Sequence, residues 1–215
     1  MLCFVHDART AGPPARLWAM PDGAWSRVDL VQVRGKGLSA GELESLARGW
    51  IARLAAVGPG VIVNDRLDVA LAAGAHGVHL GPDDLPPVVA RELAPPGFLI
   101  GVSTHGRREL LAAQEAGADY AGLGAFFPTR TKPGASRLDP VAGKVAKPVP
   151  GLEIPVLAIG GITAATLPRV LDMGVATGVA VSSAIQEATD PGAAILDLHE
   201  SVARSWEAAR LGVSP

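Results

Sequence analysis

Short apolar runs recur along the chain about every 20 to 30 residues. They are apolar almost throughout and do not alternate with polar positions, which is typical of parallel strands buried on both faces. The pattern predicts eight strands: Leu2–Val5, Asp29–Val33, Val61–Asn64, Gly77–Leu80, Phe98–Val102, Tyr120–Leu123, Pro155–Ile159 and Gly178–Val181.

Stretches rich in Ala and Leu, with charges at helical spacing, separate most of these runs. They predict helices over Ser39–Ala56, Arg66–Ala73, Pro86–Leu93, Arg107–Ala116, Thr163–Met173 and Asp190–Leu211. Ser39 stands three residues before Glu42, which is a capping-box pattern. The connections Ala8–Arg27 and Pro140–Gly151 contain several prolines, so the first and sixth helices are predicted to be degenerate.

Eight strand–helix alternations predict an α/β fold of the (β/α)8 TIM barrel type, with a parallel eight-stranded core. We expect one barrel domain over residues 1–215. A doubly wound dinucleotide-binding sheet is the alternative. It needs fewer strands and a Gly-rich fingerprint after the first strand, and the sequence has no such fingerprint.

Composition narrows the class of protein. The net charge of −2 provides no basic field for nucleic acid. The lone Cys3 cannot form an internal disulfide. The N-terminal residues lack the basic start and apolar core of a signal peptide, and no apolar run is long enough to span a bilayer. We therefore expect a cytoplasmic protein that does not act at a membrane.

Polar residues follow the predicted strands, where a barrel of this kind places its functional groups. Gln32, Arg34 and Lys36 follow the second strand, and alternation puts Gln32 and Arg34 on the same side. A buried amide or guanidinium is costly without a polar partner. Arg offers a rigid fork for phosphate oxygens and Lys a mobile charge. We interpret the segment as an anion site rather than a solvated loop.

Carboxylates follow the next two strands. Asp65 comes after Asn64, and Asp84 comes after the fourth strand. Mg²⁺ takes one or two carboxylates together with waters and substrate phosphates, so Asp65 and Asp84 could hold it. The alternative is that Asn64 or Asp65, and likewise Asp84, cap the helices that follow. No cluster with His/Cys zinc-ligand spacing is present.

The next two strand ends carry hydroxyl and basic groups. Ser103 and His105 follow the fifth strand, but no nucleophile-elbow motif surrounds Ser103. Hydrogen bonding to a phosphate or diphosphate is therefore favoured over covalent catalysis. After the sixth strand an anion-binding loop is predicted. The Gly and Pro residues in this loop indicate a mobile flap that could close over the substrate. It contains Thr129, Arg130, Thr131 and Lys132.

The last two strands end in Gly160-Gly161 and Ser182-Ser183. Backbone amides of a Gly-Gly pair, followed by a helix N-terminus, form a natural phosphate cradle. Barrels commonly place that cradle on loops seven and eight. The residues at the rim therefore predict two sites for anions, one formed by Arg and Lys side chains and the other by backbone amides. Two such sites predict two phosphorylated small molecules as partners.

The sequence resembles the thiamine phosphate synthase family, within a superfamily that includes a related thiazole tautomerase. The likeness runs from about Val31 to Pro191. It rests on seven short motifs in order: 31–36 (VQVRGK), 63–66 (VNDR), 77–86 (GVHLGPDDLP), 101–105 (GVSTH), 128–133 (PTRTKP), 159–162 (IGGI) and 183–185 (SAI).

The resemblance implies a Mg²⁺-dependent transferase that condenses hydroxymethylpyrimidine diphosphate with thiazole phosphate to give thiamine phosphate and diphosphate. The residues implied to hold the pyrimidine diphosphate are Gln32, Arg34, Lys36, Asn64, Ser103 and Lys132. Catalytic roles are assigned to four of them, Arg34, Lys36, Ser103 and Lys132. Substrate binding is assigned to Gln32 and Asn64, and also to His105. Those implied to hold the thiazole phosphate are Thr129, Thr131, Gly161, Ser182 and Ser183, and Gly160 is assigned to substrate binding. Asp65 and Asp84 are implied to bind Mg²⁺.

The sequence departs from the family at two positions. Gly35 stands where Glu is usual, and Pro82 where Gln is usual. These changes leave alternatives open: a thiazole tautomerase that uses His105, a non-catalytic barrel that binds phosphorylated ligands, or another phosphate-binding barrel enzyme. A homodimer is also compatible with the sequence.

Overall fold

We describe the protein from a computed structural model, which covers residues 1–11, 14–129 and 148–211. Eight strands are found, in close agreement with those predicted from the apolar runs. They are β1 (Leu2–Asp7), β2 (Leu30–Arg34), β3 (Gly60–Asn64), β4 (Gly77–Leu80), β5 (Leu99–Thr104), β6 (Tyr120–Gly124), β7 (Val156–Ile159) and β8 (Gly178–Val181). The main differences are in β1 and β5, each of which extends two residues beyond the predicted end.

The helices lie between the strands. They are α1 (Ala8–Ala11), α2 (Ala15–Trp18), α3 (Asp22–Trp25), α4 (Ala40–Leu54), α5 (Leu67–Ala73), α6 (Pro87–Leu93), α7 (Arg107–Glu115), α8 (Leu167–Leu171), α9 (Ser183–Gln186) and α10 (Pro191–Leu211). The proline-containing connection between β1 and β2 holds three helices of four residues each. Of the other proline-containing connection, residues 140–147 lie outside the described ranges.

Two helix predictions need correction. The helix predicted over Thr163–Met173 begins only at Leu167, because Thr163 starts a turn that Thr166 closes through its hydroxyl and backbone. The short helix α9 was not predicted, since four residues are too few to show a period. By contrast the capping box of α4 is confirmed: the Ser39 hydroxyl accepts from Glu42 N, and the Glu42 carboxylate accepts from Ser39 N.

All eight strands are parallel and form a closed barrel in sequence order. The barrel closes where β1 pairs with β8, from Leu2 opposite Val179 to Phe4 opposite Val181. On its other side β1 pairs with β2 over its last five residues, so that Asp7 lies beside Arg34. The predicted (β/α)8 fold is confirmed, and the carboxyl ends of all strands meet at one rim.

Two kinds of side chain fill the barrel interior. An apolar layer consists of Cys3, Val5, Leu30, Ile62, Tyr120, Leu157 and Ala180, all buried. Toward the carboxyl ends of the strands a polar layer follows, made of Gln32, Arg34, Asn64, His79 and Ser103. A larger apolar cluster packs between the outer faces of the strands and the helices. In the part of the chain that is described, no helix is both long and apolar enough to cross a membrane.

Candidate active site

A cavity opens at the carboxyl ends of the strands, above the apolar layer. All predicted site residues that the structure describes line it: Gln32, Arg34, Lys36, Asn64, Asp65, Asp84, Ser103, His105, Thr129, Gly160, Gly161, Ser182 and Ser183. Thr131 and Lys132, which were also predicted, lie outside the described residues. Residues from seven strand ends, spread over about 150 positions of sequence, are thus brought around one space.

One side of the cavity is a cationic site, which we define as Gln32, Arg34, Lys36, Asn64, Asp65 and Asp84. The prediction that Gln32 and Arg34 lie on the same side of the strand is confirmed, since both line the cavity. Gln32 Nε2 donates to Asn64 Oδ1 at 2.6 Å, so each buried amide supplies the polar partner that the other needs. Lys36 Nζ lies 3.6 Å from Asp65 Oδ2 and is half-exposed at the mouth.

The two carboxylates of this site do not cap helices, so that alternative is wrong. The N-cap of α5 is Arg66 and the N-cap of α6 is Pro86. Neither of these two helices has a side-chain hydrogen bond at its N-cap. Asp84 instead accepts from Gly81 N at 2.7 Å within its own loop. Asp65 adopts φ of 67°, a left-handed conformation that is uncommon for a non-glycine residue and often marks a functional site.

Asp65 and Asp84 are electrostatically coupled. Burial, followed by the hydrogen bond and the negative charge of Asp84, raises the pKa of the Asp65 carboxyl, although Lys36 and Arg34 oppose the shift. Two adjacent carboxylates that resist ionising together are stabilised by a cation between them. No cluster of three or more potential protein ligands occurs in the described ranges. A pair is nevertheless sufficient for Mg²⁺, which completes its shell with water and phosphate oxygens.

The other side of the cavity is a phosphate cradle, which we define as Gly160, Gly161, Ser182 and Ser183. Both glycines have positive φ, and a Cβ on Gly161 would come within 2.4 Å of the Pro128 carbonyl oxygen. Glycine is therefore required here, and it lets two chain segments approach closely. Ser182 is the N-cap of α9, and its buried hydroxyl has no hydrogen-bond partner in the described structure. The helix N-terminus at this cradle thus belongs to α9, whereas α8 begins six residues after Gly161.

A chain of polar contacts crosses the cavity floor and was not predicted. His79 Nδ1 lies 2.9 Å from the buried Tyr120 hydroxyl, and His79 Nε2 lies 3.0 Å from Ser103 Oγ. The sequence does hold a signal for His79, because it stands two residues after Gly77 in a strand whose alternate positions face inward. Ser103 therefore pairs with His79, whereas Glu109 Oε2 accepts from His105 Nδ1 at the rim, at 3.0 Å.

Two more residues near the cavity were missed. Asp7 at the end of β1 is buried, and its carboxylate accepts from Arg34 Nη1. Gln186 at the end of α9 accepts from Asp7 N through Oε1 at 3.3 Å. The predicted first strand stopped at Val5, so the inward alternation of Cys3, Val5 and Asp7 went unused. No sequence pattern pointed to Gln186, because α9 itself was not predicted.

Comparison with known proteins supports a single family. The thiamine monophosphate synthase family matches residues 4–185 of the chain. A thiamine-phosphate synthase of Chlorobium phaeovibrioides is 41% identical over 192 residues, which is 89% of this chain and 88% of that protein. One of a Roseiflexus species is 37% identical over 212 residues, which is 97% of this chain and 88% of that protein.

A comparison with solved structures agrees with this family match. A thiamine phosphate pyrophosphorylase from Pyrococcus furiosus has a TM-score of 0.80 and 34% identity, and the match covers 94% of this chain and 96% of that one. A 3-hexulose-6-phosphate synthase has a TM-score of 0.66 at 21% identity, and this likeness concerns the fold alone.

Proposed function

The chain belongs to the thiamine monophosphate synthase family, and on that premise we propose that it acts as a thiamine-phosphate synthase. In the proposed reaction, hydroxymethylpyrimidine diphosphate and thiazole phosphate give thiamine phosphate and diphosphate. The observation that carries the proposal is the convergence of the predicted residues on one cavity with a cationic site and a phosphate cradle on opposite sides. Two anionic substrates require two such binding regions.

The cationic site is assigned to the pyrimidine diphosphate. Arg34 and Lys36 provide the positive charge, and Gln32, Asn64 and Ser103 provide hydrogen bonds. Lys132 belongs to the same proposal but lies outside the described residues. Asp65 and Asp84 are assigned to Mg²⁺, which when bound would neutralise negative charge on the diphosphate. The support for that assignment is that Asp65 and Asp84 line the same cavity and lie close enough for Asp84 to raise the pKa of the Asp65 carboxyl.

The phosphate cradle is assigned to the thiazole phosphate. Gly160, Gly161, Ser182 and Ser183 would hold its phosphate oxygens, together with Thr129 and with Thr131, which is outside the described ranges. His105 at the rim is assigned to substrate binding. The unpartnered hydroxyl of Ser182 supports the assignment of the cradle to the thiazole phosphate, because a buried hydroxyl is costly until a ligand supplies a partner.

The reaction breaks the bond between the pyrimidine methylene carbon and a diphosphate oxygen, and forms a bond from that carbon to the thiazole nitrogen. In a dissociative course the diphosphate leaves first, so the protein has to stabilise charge and hold the two partners in line. No protein nucleophile is required. The contacts of Ser103 are of a hydrogen-bonding kind: its partner is His79 Nε2, and the other ring nitrogen of His79 faces the Tyr120 hydroxyl.

The departure at Gly35 has a local explanation. A Cβ at this position would come within 2.7 Å of Leu38 Cδ1 and 3.0 Å of Leu43 Cδ1. Leucine side chains therefore fill the space in which the usual Glu would begin. Pro82 lies at the exposed mouth of the cavity. The main polar contacts described for the cationic site involve neither residue, so we expect activity to persist.

The direct test is to incubate the purified protein with both substrates and Mg²⁺ and to quantify thiamine phosphate. We expect product with Mg²⁺ and a strong loss of product when the metal is chelated. The absence of thiamine phosphate under both conditions would contradict the proposal. The product assay also tests the assignment to small phosphorylated substrates; a cytoplasmic location and a homodimer remain predictions from the sequence.

A thiazole tautomerase is the second candidate, because Glu109 orients the His105 ring at the cavity rim through a 3.0 Å contact. In that case the protein would make no thiamine phosphate, and thiazole tautomer turnover would be lost in His105→Ala. A binding protein without activity would show neither turnover but would still bind thiazole phosphate.

A further inference from the structure

Asp7, the last residue of β1, stands directly behind the cationic site. Its carboxylate is fully buried and does not line the cavity as the described residues form it, whereas its register partner Arg34 does. Arg34 Nη1 donates to Asp7 Oδ2 from one side. From the other side Arg9 donates through its backbone N–H and through Nη2, both at 3.1 Å. The carboxylate is therefore held between two arginines, of which one reaches the cavity.

The charge state of this group follows from the same contacts. Burial by itself raises the pKa of Asp7, but the hydrogen bonds from Arg9 and the charges of Arg34 and Arg9 hold that pKa below its ordinary value. Asp7 is thus an anion at neutral pH. An arginine carries five N–H donors in a rigid plane, so the hydrogen bond from Nη1 to Asp7 restricts the direction of the other donors.

Gln186 connects the same segment to the phosphate cradle. Its Oε1 accepts from Asp7 N at 3.3 Å, and its Nε2 donates to Thr10 Oγ1 at 2.6 Å. Thr10 Oγ1 in turn donates to the Asp7 carbonyl oxygen at 3.3 Å. Gln186 ends the helical turn α9, at whose beginning Ser182 and Ser183 stand. Gln186 N also donates to the Ser182 carbonyl oxygen at 3.0 Å. The cradle is therefore connected to the Arg34 guanidinium through two residues, Gln186 and Asp7, and the hydrogen bonds that they form.

We propose that Asp7 and Gln186 are positioning residues that fix the Arg34 guanidinium and the α9 turn relative to each other, so that the two substrates are held in line for bond formation. This inference rests on the proposed synthase function and adds to it the link between the two sites. Neither residue touches substrate in this scheme. Asp7 acts through Arg34, and Gln186 acts through the turn that carries Ser182 and Ser183.

Positioning and simple charge compensation lead to different kinetics. Asp7→Asn removes a negative charge beside Arg34, so the site becomes more positive while the guanidinium loses its fixed direction. We expect kcat to fall by about 10- to 100-fold, in the range that misplaced catalytic groups cost. Inorganic diphosphate, measured by calorimetry with Mg²⁺, should bind at least as tightly as to the wild type. Diphosphate affinity that falls in step with kcat, or an unchanged kcat, would overturn the role of Asp7.

The matched control is Asp119→Asn. Asp119 also accepts a backbone N–H, from Ile100 at 2.7 Å, and pairs with an arginine, Arg91, but it does so at the opposite end of the barrel. We expect it to lower the melting temperature and to leave kcat and diphosphate affinity unchanged. A kcat loss in Asp119→Asn as large as that in Asp7→Asn would mean that both act only through stability.

Gln186→Met tests the second half of the link and leaves the Asp7 carboxylate in place, so it remains informative if Asp7→Asn does not fold. We expect the KM for thiazole phosphate to rise about tenfold, with diphosphate affinity unchanged. Gln114→Met is its control, because Gln114 also bridges backbone groups, Gly151 O and Glu153 N, away from the cavity. An unchanged KM in Gln186→Met, or an equal rise in Gln114→Met, would overturn the role of Gln186.

A measurement without turnover separates this inference from the proposed function. Rotation of the Arg34 guanidinium about its Nε–Cζ bond is visible by ¹⁵N NMR, with the signal assigned by its loss in Arg34→Lys. We expect slow rotation in the wild type and fast, averaged signals in Asp7→Asn. Slow rotation in both proteins would overturn the positioning of Arg34 even if the enzyme makes thiamine phosphate. Failure to make thiamine phosphate would refute the function and leave the rotation result standing.

Discussion

The apolar layer and the polar layer of the barrel interior are neighbours along the same strands, yet they differ in almost every contact. In the apolar layer, Ile62 and Leu157 are buried against other hydrocarbon side chains. In the polar layer, Gln32 bonds to Asn64, and His79 lies between the Tyr120 hydroxyl and Ser103. In β2 the change of chemistry takes place within two residues, from Leu30 to Gln32, and in β3 it does so from Ile62 to Asn64.

This difference separates stability from function inside one core. Burial of hydrocarbon is favourable wherever shape allows it, so the apolar layer stabilises the barrel without specifying a ligand. A buried polar group is favourable only when its partners are in place, so the polar layer has to be arranged residue by residue. Substitutions in the two layers should therefore change different measured quantities.

The largest effect is expected from Asp84→Ala at the cationic site. We expect synthase kcat to fall at least about a thousandfold, because the proposed metal site and the hydrogen bond to Gly81 N are lost together. The affinity for thiazole phosphate should change less than about twofold, since the cradle is untouched. Steady-state kinetics and calorimetry measure the two quantities, with Asp68→Ala as a control in an exposed ion pair. Equal losses of both would show that Asp84 is a structural residue.

Leu157→Ala in the apolar layer should have the opposite profile. Removing a fully buried leucine costs about 3 kcal/mol of unfolding free energy through lost burial and the cavity left behind. We expect kcat/KM to stay within about threefold at a temperature where the variant is folded. Urea unfolding measures the loss, and Leu93→Ala, at a leucine that is 61% exposed, is the control. A large fall in activity of the folded variant would mean that the layers are not separable.

His6 is a buried polar residue that belongs to neither layer, and it tests whether such groups are tolerated outside the cavity. Burial lowers its pKa to about 4, with a smaller opposing effect from Asp7, and both ring nitrogens lack a partner in the described structure. Below the ordinary histidine pKa of 6.5 the unfolded chain takes up a proton that the folded protein excludes. The free energy of unfolding therefore decreases as the pH decreases.

From that shift we expect the wild type to lose about 2 kcal/mol more than His6→Leu between about pH 7.5 and about pH 5. Urea unfolding of both proteins at the two pH values measures the difference. Parallel pH dependence in the two proteins would show that His6 is not the group responsible. Synthase activity at neutral pH should be similar in both, because His6 does not line the cavity.

Tyr120→Phe acts at the border, since the ring belongs to the apolar layer and the hydroxyl reaches the polar one. The ring stays, so we expect a stability change of only about 1 kcal/mol. Loss of the hydroxyl beside His79 Nδ1 should lower kcat by about 3- to 10-fold through the orientation of Ser103. Kinetics of Tyr120→Phe and Ser103→Ala, alone and combined, measure the coupling. Fully additive losses would argue against a connected chain of contacts.

Sequence patterns predicted most of the fold and much of the site. The eight strands followed from apolar runs, and residues such as Arg34, Asp65 and Gly161 were found because each stands at the end of a strand or just after it. A barrel makes this possible, because parallel strands bring all their carboxyl ends to one rim. The order of the strands along the chain is then enough to gather the candidates.

The contacts among those residues could not be predicted in the same way. Asp7 was missed because the polar end of β1 does not look like part of an apolar run, and Gln186 because α9 is a single turn. Whether Asp84 caps a helix or faces the cavity depends on the path of one loop, which periodicity does not encode. Pairings such as His79 with Ser103 depend on rotamers and register across neighbouring strands.

The pairing of β1 with β8 also sets when the active site can come into being during synthesis. The ribosome makes a chain from its N-terminal side onward, and Asp7 meets Gln186 across 179 positions. Until β8 and α9 have emerged, the outer edge of β1 has no partner strand and its buried ion pairs cannot be enclosed. A nascent or truncated chain that lacks β8 should therefore expose an unpaired strand edge. Such a chain is prone to aggregate until β8 and α9 have been synthesised.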